Sequence, residues 1–290
     1  MDALISESIW IIVGINIILA LGLYVTVATG QFSLGHAAFM GIGAYMASVL
    51  TVKMGMPLIG AMIVAALFTG VLGALFGLPA LRTKGIYLTI LTLGLGELVR
   101  VFFSSFEYTG SVGGFGGMSG TTLPLVFGVV VVCIVFVYWL MKSLFGQAFL
   151  AVGQDELVAE TLGINTTAIK VIAFSLGAAI SALGGALYAH FMFFIEPTHF
   201  SYSHSVLILL FVIFGGIETM WGAVLGAVIL TFIPEMVRGL AEWRLVLYGA
   251  VMVVLMAVRP QGLISKRTLS RPILSFKKKT DPQIGRNWPI

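Results

Sequence analysis

The sequence predicts an all-α, polytopic bundle of transmembrane helices, and three observations predict it. Of 290 residues, 59% are hydrophobic and 10% are charged, against about 25% charged in a soluble domain. The mean hydropathy is +1.07, so too little polar surface exists to coat a water-soluble fold. The apolar runs are continuous, whereas a transmembrane β-barrel needs alternation within stretches of about ten residues.

Apolar segments fall near 8–29, 31–50, 57–80, 85–105, 123–141, 169–190, 205–217, 221–234 and 243–258. This gives about eight to nine membrane segments, several close to the ~20 residues a span requires. Segments 205–217 and 221–234 are shorter, and read as a broken pair or a re-entrant hairpin around Gly215 and Gly216. Broken helices are tolerated where they face protein or a water-filled cavity. Residues 1–264 read as one membrane domain, and 265–290 as a basic tail.

The net charge of +4 is not a nucleic-acid signal, because the basic residues flank spans and much of the excess lies between Lys266 and Lys279. With the 142–170 loop and the tail placed in the cytoplasm, only Lys53, Arg100, Arg238 and Arg244 fall outside or near the outer interface. The positive-inside rule favours this orientation, which puts the N-terminus outside. Cys133 is the single cysteine, so no internal disulfide forms. The first residues are acidic, and no cleavable signal peptide is evident.

The longest polar interruption is Lys142–Lys170. Asp155 is placed to cap a short helix, and Glu156 suits its positive end. Leu157, Val158 and Leu162 give that helix an apolar side, and Glu156 and Glu160 share a face. Gly163 is a natural stop, and Asn165 can start the next helix. The chain is expected to leave the membrane, form one short amphipathic helix in water and return. Such a helix is a place for another protein to push; the plainer alternative is an ordinary inter-helix loop.

Residues 110–120, GSVGGFGGMSG, are read as a flexible loop, or as an external contact surface. They contain no GxxxxGK[ST] pattern and no Lys follows them, so they are not a phosphate-binding loop, and no other stretch supplies one. Gly177, Ser181, Gly185 and Ala189 recur every four residues, with Ala178, Ala182 and Ala186 beside them. Small residues at this spacing let helices approach closely in lipid, within the bundle or between subunits.

Polar groups at membrane depth are costly and therefore candidates. His36 lies beside Gln31 and Ser33, and Glu97 has Arg100 one turn on. His36, Glu97, Gly215 and Gly216 are the pathway candidates. The alternatives are a hydrogen-bonded packing histidine and an ion pair that snorkels to water. His190, Glu196, His199 and His204 cluster, but their spacing fits no familiar metal motif. No hydrolase signature appears. The sequence therefore reads as neither an enzyme nor a metal or cofactor binder.

Several blocks together resemble one family. They are the run Gly30–Tyr45, GQFSLGHAAFMGIGAY, then Leu81–Tyr87 with Thr92–Gly94, Glu97 and Arg100. Ala159, Gly163–Asn165 and Gly184–Tyr188 follow, then Gly215-Gly216, Trp221-Gly222 and Arg259–Leu263. In order and over nearly the whole chain, they resemble bacterial branched-chain amino acid ABC transporter permeases, on the LivM branch of the LivH/LivM pair. The resemblance implies a multi-pass permease of the bacterial inner membrane. It implies a second, LivH-like permease, two cytoplasmic ATPases and an extracytoplasmic substrate-binding protein as partners. It makes Asp155, Glu156, Leu157, Ala159, Glu160, Leu162 and Gly163 the segment that docks on the ATPase. Here Val158-Ala159-Glu160 stands where the related loop of importer permeases reads Glu-Ala-Ala, so Ala159 and Gly163 carry over most directly.

Two rivals remain open. One is a permease of the same family for urea, short amides or other amino acids, since no motif reads out a side chain. The other is a stand-alone channel or ion-coupled carrier, which would require more buried ionisable groups than the sequence offers.

Overall fold

The computed structural model describes residues 2–80, 85–236, 249 and 262–264. The segment 243–258 apart from Gly249, the tail 265–290 and the basic residues Arg82, Lys84, Arg238, Arg244 and Arg259 lie outside the described residues. Ten α-helices are described: α1 (Asp2–Val27), α2 (His36–Val52), α3 (Leu58–Ala80), α4 (Ile86–Ser105) and α5 (Leu123–Lys142). Then come α6 (Leu144–Gln154), α7 (Glu156–Thr161), α8 (Thr166–Met192), α9 (Tyr202–Gly215) and α10 (Met220–Met236).

Among the described residues, five helices are long and apolar enough to cross a membrane: α1, α3, α4, α5 and α8. Helices α9 and α10 pass the same test together, but are bent by 119° at their junction. Glycine makes that fold-back possible. A Cβ on Gly215 would lie 1.8 Å from the Gly222 carbonyl oxygen, and one on Gly226 2.0 Å from that of Phe211. The two backbones touch, so Gly215 is a packing position here. Gly216 takes φ +115° as the helix ends, and the amides of Leu263 and Ile264 donate to the carbonyls of Phe214 and Gly215.

At the centre stands α8, packed against α1, α2 and α3. Its small-residue stripe faces inward: Gly177, Ser181, Gly185 and Ala189 are all buried. A Cβ on Gly185 would sit 1.9 Å from the Met40 carbonyl oxygen of α2, and one on Gly177 2.6 Å from that of Gly22 of α1. Ala182 meets Gly43, and Ala178 meets Gly73 of α3. Close backbone approach supplies the dispersion and weak polar contacts that hold helices together where lipid removes the hydrophobic drive.

Three expectations change. The apolar run at 31–50 is not helical from its start. Residues 28–35 are irregular, and α2 begins at His36 and covers only 17 residues, 13 of them buried. The glycine-rich stretch is not a free loop: Phe115-Gly116 pairs antiparallel with Phe194-Ile195 as a two-stranded ribbon, β1 and β2. The 142–170 region contains two helices rather than one. Ser143 Oγ accepts from Gly146 N at 3.4 Å and starts α6 directly after α5, and Gly146, Phe149 and Val152 turn inward.

The bundle has two distinguishable ends. Gly153 packs on Ala28 and Gly30, so α6 and α7 share an end with the α1–α2 connection. Opposite them, Lys53 Nζ donates to the Tyr108 carbonyl at 2.6 Å, beside the β1–β2 ribbon.

Candidate functional site

Two regions draw the sequence-predicted residues together: the exposed helix α7 and a buried polar centre at the start of α2.

Local chemistry builds α7. Asp155 Oδ1 accepts from Leu157 N at 3.0 Å and Val158 N at 3.1 Å. Gly163 takes φ +80°, a conformation glycine adopts without steric cost. Asn165 Oδ1 then accepts from Ala168 N at 3.0 Å and opens α8. Between them Ile164 N donates to the Ala159 carbonyl.

The charged side of α7 is used within the chain. Lys170 Nζ stands 2.7 Å from Glu156 Oε1, and Thr166 Oγ1 donates to Glu160 Oε1 at 2.9 Å. Both carboxylates therefore clamp α7 to the first turns of α8, where the sequence left them available to a partner. Ala159 is buried at 1% exposure, while Leu157 and Leu162 are 68% and 72% exposed. Together with Val158 they leave an apolar face exposed on a short, tied-down helix. Leu144 and Phe145 of α6 are also exposed. Reversing one charge with Lys170→Glu sets two carboxylates together. It should weaken α7 docking by about 1 kcal/mol, the scale of a partly exposed pair. The double variant Glu156→Lys/Lys170→Glu should restore it, read as hydrogen-exchange protection of residues 156–162.

The buried centre is polar and uncharged. Thr26, Thr29, Gln31, Ser33 and His36 are each at most 1% exposed. His36 Nε2 lies 3.3 Å from Thr26 Oγ1, and its ring packs edge-on against Phe39 and Phe174. Gln31 Nε2 donates to Thr29 Oγ1 and to the Lys170 carbonyl. The sequence flagged His36, Gln31 and Ser33. It gave no sign that Thr92 and Ser205, from distant helices, join them.

The remaining candidates lie apart. Glu97 and Arg100 form an ion pair of 2.7 Å on α4, both side chains about one-third exposed. Gly215 and Gly216 sit at the α9–α10 fold-back. His190 bonds Thr51 Oγ1 and the Ala186 carbonyl. Among the described residues no group of His, Cys, Asp and Glu is arranged to hold a metal ion. A crevice of about 430 Å³ opens between α3 and α5 over Leu183, lined by residues such as Met62, Ile63 and Val129. No polar atom lines it, so it suits hydrocarbon rather than a polar solute.

With this geometry in place, the comparisons with known proteins are informative. A family model described as the permease component of the branched-chain amino acid transport system matches residues 5–256. The high-affinity branched-chain amino acid transport permease LivM of Salmonella typhimurium is 31% identical over 91% of this chain and 70% of its own length. LivM of Escherichia coli K12 is 30% identical over the same shares. The autoinducer 2 import permease LsrC of Escherichia coli O9:H4 is 29% identical over 68% of this chain and 56% of its own. No solved structure matches. Its matched length and its continuous helical spans together place this chain in the family of branched-chain amino acid transport system permease components.

Proposed function

We propose that this chain is the membrane subunit through which an ATP-driven importer carries leucine, isoleucine and valine across the bacterial inner membrane. Its partners are a second, LivH-like permease, two cytoplasmic ATPases and an extracytoplasmic binding protein that delivers the solute. The observation that carries this reading, beside the LivM relatives, is the construction of α7. It presents Leu157, Val158 and Leu162 outward, yet it is bolted to α8 through Lys170 and Thr166.

The mechanism follows from that construction. An ATPase that grips the apolar face displaces α7 as its nucleotide site closes. The ion pair and the short 162–165 turn pass the displacement to α8. Because α8 packs against α1, α2 and α3, its movement shifts the whole bundle between two packed states. Nucleotide and binding protein drive the switch only by stabilising one state over the other. Asp155 and Gly163 frame the lever, and Ala159 seats it.

The relatedness of LsrC favours one second reading: the same scaffold serving another small polar solute, with urea and short amides the alternatives to test. Co-reconstitution in vesicles with the partner subunits decides. ATP-dependent accumulation of leucine, isoleucine and valine is expected, and neither ATP hydrolysis nor accumulation by this chain alone. Urea uptake without leucine uptake would select the second reading. Uphill uptake by the lone chain would overturn both.

A further inference from the structure

The start of α2 is an unusual place for a helix to begin. The N-terminus of a 17-residue helix lies inside the bundle, behind the irregular segment 28–35. The aligned peptide dipoles give such an end about half a positive charge, and no acidic residue stands in its first turn. Neutral hydroxyls from other elements meet the leading amides instead. Ala37 N donates to Ser205 Oγ of α9 at 3.1 Å, and Leu34 N to Thr92 Oγ1 of α4 at 3.0 Å. Gly35 N donates to Ser33 Oγ at 3.2 Å.

A second, independent observation points to a ligand. His36 is the first residue of α2 and wholly buried, and its Nδ1 has no partner in the protein. Gln31 Oε1, in the segment that leads into the helix, is also buried without one. Leaving a buried polar atom unpaired costs about 1–3 kcal/mol, so two together in a packed centre mark a place where bonds are made at another stage.

We propose that the α2 N-terminus is the seat for the carboxylate of the transported amino acid, an assignment that rests on the import function proposed above. The Ser205 and Thr92 hydroxyls hold the seat in the arrangement seen here. When α4 and α9 draw back, the amides of Leu34 and Ala37 turn to the solute's carboxylate oxygens. The Nε2 edge of His36 meets Thr26 Oγ1 and the Gly22 carbonyl, which leaves Nδ1 as an acceptor for the solute's ammonium group. Gln31 Oε1, an acceptor, faces the solute's ammonium group. Half-helix ends inside a membrane bind anionic groups by this logic. Helices α2, α4 and α9 converge there, so binding and rearrangement are coupled by construction.

The test uses the complete importer in nanodiscs, where both faces are open to reagent. Ser205→Cys is made in a Cys133→Ala background and treated with an anionic methanethiosulfonate. Labelling should rise several-fold during ATP turnover over the resting complex. Leucine should slow it several-fold; leucinamide, which lacks the carboxylate, should not. Thr92→Cys is the companion probe should the first variant not assemble, and His36→Leu should reduce leucine's protection several-fold, because one acceptor for the ammonium group is lost. Equal protection by both compounds, or no labelling in a complex that imports leucine when reconstituted in vesicles, overturns the seat and leaves the import function standing. Failure of the unmodified complex to import leucine overturns the import function and the seat with it.

Discussion

Gly185→Leu yields no folded bundle. The new Cβ would stand 1.9 Å from the Met40 carbonyl oxygen and 3.0 Å from its Cα. Backbone on both sides leaves no flexible group to yield, so α2 and α8 must separate. Separation strips contacts along the whole inward stripe, from Gly177 to Ala189, and these contacts are what holds helices together in lipid. Overpacking a tight core costs about 1–3 kcal/mol when neighbours can adjust, and more is expected where they cannot. Gly94→Ala is the matched control. It has nothing within 4 Å of the added Cβ and should gain up to about 1 kcal/mol of helix propensity. Thermal unfolding and size-exclusion profiles in detergent separate the two outcomes. A monodisperse Gly185→Leu protein would show that the two helices are not locked together.

The double variant Leu157→Asp/Leu162→Asp does the opposite: the fold survives and transport is lost. Both side chains are mostly exposed, so little packing is removed and stability should stay within about 0.5 kcal/mol of the parent. On the proposed role of α7, their loss takes away its apolar anchors for the ATPase. Interface anchors are worth about 2 kcal/mol or more each, so ATPase affinity should fall at least a hundredfold, by about 3 kcal/mol or more. Binding of the ATPase to permease nanodiscs measures the first effect, and leucine uptake the second. Wild-type uptake by the variant would remove α7 from the drive. Ala159→Asp provides the contrast: at 1% exposure, it should disrupt α7 itself.

How much was legible depended on how local the signal was. The frame of α7 could be read directly, because Asp155, Gly163 and Asn165 each act within three residues of themselves. The sequence did not disclose α6, although Ser143 with the inward spacing Gly146, Phe149 and Val152 carried a usable signal. Its eleven residues hide between a span and a polar loop. The late start of α2 was masked because Phe32 and Leu34 continue the apolar run. The caps that let it begin at depth, Thr92 and Ser205, come from 58 and 168 residues away. Likewise the ribbon joining Phe115 to Ile195 has no local signature. In the small-residue stripe of α8 the period was visible, but the neighbours it admits, Met40 and Gly22, were not.

The clasp at the end of α9 has an implication for biosynthesis. The carbonyls of Phe214 and Gly215 receive the amides of Leu263 and Ile264, which leave the ribosome well after the helix itself. Until then, two acceptors at the fold-back wait for donors inserted later. A nascent chain arrested ahead of Gly262 would carry a finished α9 with an unfastened tip, an early handle for quality-control proteases.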